Sequence, residues 1–417
     1  MIFRYSFLIL IVISFKSFAQ KQNKIDSLLN IYTTTKVDSI KLKAVNRITS
    51  HYLYRDIHKA KSYAFKQQNL ANHLNEIDYK IKASHHLAVI YNIHSQHDSA
   101  RFYINKTLKL AKEVNDLKQQ SLSRHSLANL EISLNNLDIA EKINSENLEF
   151  NKKRKDSLGI ALSYDLECSI YIEREHYEIA LKSALHSLEI VKALKKQIRI
   201  ADALNKIAII ENSLENFDSS IEYSKQALKI YEEFEDIEYQ SQICNIIGIS
   251  YKFKKDYESA KQYFNKSISI SEPNGYQSIL IVSKSHLIDI YMEANDFEKA
   301  KTLIDECKGI ANSIGYDAMI LYSNMRLAKY FKAIGNYTKT HHLLDSLMSD
   351  KNLLLENEAS IHLVKSETYK LQDNYKASLA SYELYKKIQD STIKKKNISK
   401  INELRIIHKT EQKEAEI

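Results

Sequence analysis

Small or near-small residues return along this chain at a beat of almost forty positions. They are Ala60, Ala100, Ala140, Ala180, Ser220, Ala260, Ala300 and Thr340, with Ser378 following two residues early. Three positions before each stands a larger side chain: Ile57, His97, Leu137, Tyr177, Phe217, Tyr257, Phe297, Tyr337 and Tyr375. One position earlier still the residue is usually Asp or Asn, as at Asp56, Asn136, Asn216, Asp256, Asp296, Asn336 and Asn374. A period sustained over this length excludes a single globular core and requires units that stack on their neighbours.

Each unit carries a second small position twelve residues before the anchor: Ala88, Ala128, Cys168, Ala208, Gly248, Ala328 and Ser366, with Ile288 the exception. Nine before the anchor is usually an aromatic, as at Tyr91, Tyr171, Tyr251, Tyr291, Phe331 and Tyr369. Apolar residues within each half recur at three- and four-residue spacing, so both halves are amphipathic helices. The small residues let two backbones approach, and the aromatics fill the grooves beside them. The Asp or Asn is expected to cap the second helix by accepting a first-turn amide hydrogen. Roughly sixteen residues per helix gives rods near 24 Å at about 1.5 Å per residue.

The strings LAVIYNIHSQHDSA, IIGISYKFKKDYESA, LIDIYMEANDFEKA and LAKYFKAIGNYTKT resemble the tetratricopeptide repeat in their small, aromatic, turn, aromatic and small positions. The resemblance covers about residues 41–387. It implies an all-α, right-handed α-solenoid of about nine repeats, with helices longer than the family norm because the period is forty rather than thirty-four. The longer version is similar to arrays in bacterial regulators and in the periplasmic sensor region of Bacteroidetes signalling and transcription regulators. Three departures stand out. Glu131 and Glu211 occupy the aromatic slot, and Glu167 replaces an aliphatic. The expectation is a local helix rotation that sends these carboxylates to solvent; the alternative is a polar break in the groove.

The first twenty residues, MIFRYSFLILIVISFKSFAQ, combine Arg4, a short apolar run and small residues before Ala19. That pattern reads as a secretory signal over 1–19, too short for a comfortable membrane span, and predicts an exported, periplasmic protein. Residues 20–40 read as an N-terminal cap and 41–390 as the array. The remainder, 391–417, reads as a charged helix with Ile398, Ile401, Leu404 and Ile407 along one side. It is expected either to cap the last repeat or to act as a coiled-coil linker, with membrane proximity and a homodimer as its possible uses.

Composition removes several kinds of chemistry. Six glycines and one proline in 417 residues suit a helical chain and leave no phosphate-cradling loop of the usual kinds. Pro273-Asn274-Gly275 is the expected point for a bend between repeats. The charge of +8, from 60 basic and 52 acidic residues, is interspersed, and no motif points to nucleic acid. Cys168, Cys244 and Cys307 lie in three repeats at packing positions and form no disulfide framework; Cys168 reads as buried filler, and Cys244 and Cys307 would bond only if the superhelix brings them close. His85-His86, His94, His97 and His341-His342 lack the spacing of a zinc site. No nucleophile elbow or kinase signature appears, so neither catalysis nor a cofactor is expected.

What remains is binding. In tetratricopeptide arrays the first helix of every repeat lines the concave side. Carried over by register, the groove includes His125, Asn129, Asn205, Asn212, Asn245, Lys252, Phe253, Met292, Arg326, Lys329 and Lys332. Asparagine amides both donate to and accept from an extended backbone. The bases Lys252, Arg326, Lys329 and Lys332 predict a preference for acidic ligands towards the C-terminal end. The expected role is a non-enzymatic protein- or peptide-binding module, the sensory or scaffolding part of a signalling system. The alternatives are an envelope assembly adaptor, or a truncated relative of a membrane histidine kinase or DNA-binding regulator.

Overall fold

A computed structural model describes residues 25–53, 56–93, 96–314, 317–349, 353 and 355–392. The proposed leader and all but the first two residues of the charged C-terminal segment lie outside them. The chain divides into two compact units, Met1–Ile170 and Tyr171–Ile417. The first holds α1 (25–34), α2 (Asp38–Tyr52), α3 (Ile57–His73), α4 (Ile77–Ile93), α5 (His97–Glu113), α6 (Leu117–Ser133), α7 (Leu137–Lys153) and the start of α8 (Ser157–Glu173). The second holds α9 (Tyr177–Ala193), α10 (Gln197–Ser213), α11 (Phe217–Glu233), α12 (Ile237–Phe253), α13 (Tyr257–Asn274) and α14 (Gln277–Glu293). It continues with α15 (Phe297–Ile314), α16 (Asp317–Ala333), α17 (Tyr337–Met348), α18 (Leu355–Leu371) and α19 (375–392). Among the described residues there is no strand. The fold is an all-α array of stacked helix pairs.

From α3 to α17 the helices start every twenty residues, and most are 17 residues long. Most of them stop at a single residue in the left-handed conformation. Asn75, Asn115, Asn135, Lys155, Glu175, Lys195, Glu215, Glu235, Lys255, Asn295 and Asp373 have φ between 53° and 63°, and Gly275 and Gly335 take the same role. The next amide then reaches back to close the helix end, as Glu76 N–H does to Ala71 C=O (3.0 Å) and Asp116 N–H to Ala111 C=O (2.8 Å). This closure satisfies carbonyls that a helix end would otherwise leave open. A lysine or glutamate there costs roughly 1 kcal/mol relative to glycine, a strain repeated along the array. Pro273 sits in the last turn of α13, and Tyr276 N–H bonds Ser271 C=O at 3.0 Å. The expected bend point therefore closes in the same way as the other turns.

Packing follows the anchors. Ala60, Ala100, Ala140, Ala180, Ser220, Ala260, Ala300 and Thr340 are fully buried, at 0% exposure, so each marks the closest approach of a helix pair. Within the first unit Ala60, Ala64, Leu87 and Ile90 join one cluster, and Ala128, Ala140, Leu166 and Ile170 another. Within the second, Ala260, Phe264, Leu287 and Ile290 form one cluster and Ile281, Ile288, Ile304 and Leu327 the next. Each cluster joins a helix pair to the following one, so no pair buries its apolar face alone. Gly248, at the small position of α12, lets the fully buried Phe264 ring lie against the backbone. A Cβ added there would stand 2.6 Å from the ring.

The capping expectation holds at Asp56, Asp256, Asp296, Asn336 and Asn374, whose side chains accept from Lys59, Ser259, Lys299, Lys339 and Ala377 amides. It fails at Asn136 and Asn216, which make no capping bond. Their amides donate instead to Glu131 (2.9 Å) and Glu211 (2.8 Å), the two residues in the aromatic slot. A charge-assisted bond outcompetes a neutral cap. Glu131 also corrects the expectation of solvent exposure: it is fully buried and clamped by both Arg101 guanidinium nitrogens. A carboxylate inside the array persists because a base and an amide replace its water. Glu211 and Glu167 are half-buried.

The buried face of α7 carries three asparagines. Where neighbouring second helices bury Ile104 or Ala111, α7 buries Asn144, Asn147 and Asn151. Asn144 donates to Ser163 C=O at 2.9 Å and Asn147 to Ser121 C=O at 3.2 Å, but their Oδ1 atoms have no partner among the described residues. An orphaned buried acceptor costs about 1–3 kcal/mol.

Two predictions come from this packing. Gly248→Ala should lower the urea midpoint by an amount equivalent to about 1–3 kcal/mol. On a Phe264→Leu background the same change should be neutral or stabilising, since alanine is the better helix former by about 1 kcal/mol. An unchanged sign on both backgrounds would remove the steric explanation. Asn144→Leu keeps the branched shape and removes the orphaned oxygen, so it should raise stability by about 1–2 kcal/mol. A fall in midpoint would show that the amide is fully satisfied.

Candidate functional site

In the second unit successive first helices touch: α10 with α12, α12 with α14, α14 with α16 and α16 with α18. Side chains at matching registers on these helices can therefore bridge. Lys252 on α12 and Arg326 on α16 both reach Asp289 on α14, across 37 residues in each direction. The Lys252 Nζ to Asp289 Oδ2 distance is 3.3 Å, and Arg326 donates to the same oxygen at 3.2 Å. Lys252 stands eight before its anchor, Asp289 eleven and Arg326 fourteen. Each step to the next repeat moves back three residues, which keeps the three on one helical face. Lys332 on α16 pairs with Glu367 on α18 in the same register, eight before one anchor and eleven before the next.

These carboxylates change the expected electrostatics. Of the four bases predicted to await an acidic ligand, Lys252 and Arg326 share one carboxylate and Lys332 has another. Only Lys329 is exposed, with no ion pair among those described, because Met292 rather than an acid holds the facing register. Asp289 and Glu367 were not singled out from sequence, although the register that selected Asn129 and Lys329, eleven before the anchor, contains both.

Surrounding groups set the geometry of the Asp289 node. The Arg326 side chain is buried, donates from Nε to Ser285 C=O at 3.2 Å, and lies 4.0 Å from the Tyr322 ring centre. His286 Nδ1 stands 3.2 Å from Lys252 Nζ, and its ring stacks on Phe264 at 5.1 Å. Burial, followed by the Lys252 charge, pushes His286 down to about 4. The ring is therefore neutral near pH 7, and its Nδ1 accepts from the ammonium. Lys252 also lies 5.6 Å from the ring of Phe253, which is 58% exposed and stacks on Phe217.

The asparagines divide. Asn245 does not face a ligand: it is buried and accepts from Ser283 Oγ at 2.7 Å, while Ser283 also meets Ser267 Oγ at 2.9 Å. A short polar thread thus replaces aliphatic packing between α12, α13 and α14. Asn205 and Asn212 are half-buried, and Asn205 Oδ1 has no partner among the described residues. In the first unit Asn129 is exposed and donates to His125 C=O within its own helix.

Other chemistry-bearing residues are accounted for by packing. Cys168, Cys244 and Cys307 are buried and form no disulfide, and burial raises the last two thiols to about 11. His86, buried in the first unit, joins Gln67 (3.1 Å) and Ser50 (3.1 Å), and burial lowers it to about 4. Among the described residues no group of three or more His, Cys, Asp or Glu is placed to hold a metal ion. None of the described helices is long and apolar enough to cross a membrane.

Comparison with known proteins agrees with this architecture. Residues 199–272 match the family model described as tetratricopeptide repeat. No curated protein sequence matches the chain. The Rap protein complexed with competence and sporulation factor is similar in structure, with TM-score 0.58 at 15% identity over 85% of this chain and 99% of that one. Aspartyl phosphate phosphatase F from Bacillus subtilis gives 0.55 at 14% identity, covering 86% and 96%. The apo quorum sensor NprR from B. thuringiensis gives 0.53 at 15% identity, covering 84% and 99%. At these identities the likeness shows the fold.

The two buried histidines predict a pH dependence. An unfolded histidine binds a proton below about pH 6.5, whereas folded His86 and His286 resist it until about 4. Unfolding thus takes up protons in this window. The stability from each ring is complete above pH 6.5 and is lost as pH falls towards 4, by at most about 3 kcal/mol per ring. Urea midpoints at pH 7.5 and 4.5 should separate less for His86→Gln than for the unsubstituted chain. Equal separations would show that His86 does not contribute.

Proposed function

We propose that this tetratricopeptide-repeat protein is a binding module without catalytic activity of its own, which holds a protein or peptide segment along the first-helix face of its second unit. The carrying observation is the Asp289 node, where three successive first helices are tied by Lys252 and Arg326. A face so tied presents a preset spacing of polar groups, which lowers the ordering cost of binding. The exposed Lys329 and Phe253 and the half-buried Asn205 and Asn212 are the groups free to engage a segment. Because most bases are already paired, backbone and apolar contacts carry more of the recognition than an acidic side chain does. Likeness to a Rap protein complexed with competence and sporulation factor, and to the quorum sensor NprR, supports a peptide or protein as the ligand class.

The reading includes export. Arg4, the apolar run after it and the small residues before Ala19 support a periplasmic location, and a sensory or scaffolding task in the envelope is the role that follows. Signalling would require the ligand to bind two shapes of the array with different affinity.

Site-directed crosslinking tests the face. The native thiols are buried, so a benzophenone maleimide will label an introduced Lys329→Cys selectively. Lys229→Cys, on the exposed side of the second helix α11, is the control. In envelope extract the first should give discrete crosslinked species that the second lacks. Equal patterns from both positions would overturn the assignment of the face.

A further inference from the structure

A second surface, formed mainly by second helices, has the opposite electrostatic character. Between α13 and α15, floored by α14, lies an open cavity of about 650 Å³. That is within the range of about 300–1,000 Å³ typical of ligand sites. Its apolar floor is Ile268, Leu287, Leu303 and the Tyr291 ring. All of these residues belong to the second unit, and none lies on the Lys252–Asp289–Arg326 network.

The charged groups around that floor are unequal. Lys284 is one cation, buried beneath the cavity, yet it serves two carboxylates, Glu306 at 2.7 Å and Glu272 at 3.5 Å. Burial alone would lower the lysine, but the bond to Glu306 and the two negative charges outweigh it and raise it. At the other end Asp296 caps α15 and holds Lys299 at 2.7 Å, while Glu298 lines the wall without a described partner. Three carboxylates, Asp296, Glu298 and Glu306, thus line the cavity with two ammonium groups, Lys284 and Lys299, and Glu272 adds its charge to Lys284 from outside the lining. Glu306 stays about half exposed after pairing with Lys284, so part of it remains open to the cavity. The chain's own Lys299 shows which charge the cavity favours: its ammonium lies 5.4 Å from the Tyr291 ring centre, the attraction of a cation to an aromatic face.

We infer that this groove is a docking site for a basic amphipathic segment of a partner protein, with an arginine or lysine against Glu306 and Glu298 and its apolar neighbours on Ile268, Leu287 and Leu303. The acidic excess is set into an apolar-floored cavity, so recognition requires both features in one ligand. A free cation lacks the apolar part, and a neutral peptide lacks the charge. This surface is separate from the first-helix face, so its occupancy does not depend on the reading proposed for that face.

The test uses the full chain with isoleucine and leucine methyl labels and three short acetylated, amidated peptides. One places a single arginine between leucines, the second carries citrulline there, and the third carries glutamate. The arginine peptide should shift the methyl signals of Ile268, Leu287 and Leu303, with the citrulline peptide binding at least five-fold more weakly and the glutamate peptide not at all. Glu306→Gln with Glu298→Gln should weaken the arginine peptide by at least five-fold, and raising salt should weaken it further. Equal affinity for arginine and citrulline peptides would overturn the inference. So would shifts confined to methyls elsewhere, no shift at millimolar peptide, or binding unaltered in the double variant. If the double variant fails to fold, Lys299→Gln is the second probe. Removing the resident cation should tighten the arginine peptide, and unchanged or weaker binding would count against the site.

Discussion

The approach of two helix backbones at a residue with almost no side chain is the contact on which the rest depends. A helix of seventeen residues cannot hide its apolar stripe by itself. With alanine, serine or threonine fully buried at the anchors, the second helix of a unit lies close enough to its first helix for the larger side chains on either side to interlock. Gly248 is the extreme case, where even a methyl group would collide with Phe264. The twenty-residue spacing of the turns serves the same contact, because a constant length returns the small residue to the same face in every unit.

Much of this was legible in the sequence because it depends on periodic quantities. Size at the anchor, aromatic bulk three residues before it and the alternation of apolar faces all recur, and recurrence converts a weak local preference into a strong signal. The turn conformation was less legible. Lys155, Glu175 and Lys255 sit in the left-handed region that glycine or asparagine would advertise, so nothing in their identity marked them. Packing and the fixed helix length impose that conformation against local preference.

The candidate face was legible in register but not in partnership. Lys252, Arg326, Lys329 and Lys332 do fall on first helices, but their electrostatics depend on what faces them one repeat away. Asp289 and Glu367 complete the pairs with Lys252 and Lys332, and Met292 leaves Lys329 open. Asn245 shows the same limit, because its amide is consumed by Ser283, thirty-eight residues distant. A linear reading ranks residues by type, whereas the array assigns them by neighbour.

Glu131 shows how that assignment changes the physics of a position. In the aromatic slot a tyrosine fills volume and requires little electrostatically; a glutamate in the same place needs Arg101 from the preceding helix and Asn136 from the following turn. The array keeps its geometry, but the contact changes from apolar packing to a charge pair whose members are costly to separate. The same exchange appears around Lys284, where one buried ammonium holds Glu306 and Glu272. In both places removal of the buried charge leaves its partners without compensation. Such positions tolerate shape changes poorly, but they answer strongly to anything that competes for the charge. Repeats that exchange apolar contacts for ionic ones therefore depend on both partners of the pair being kept together.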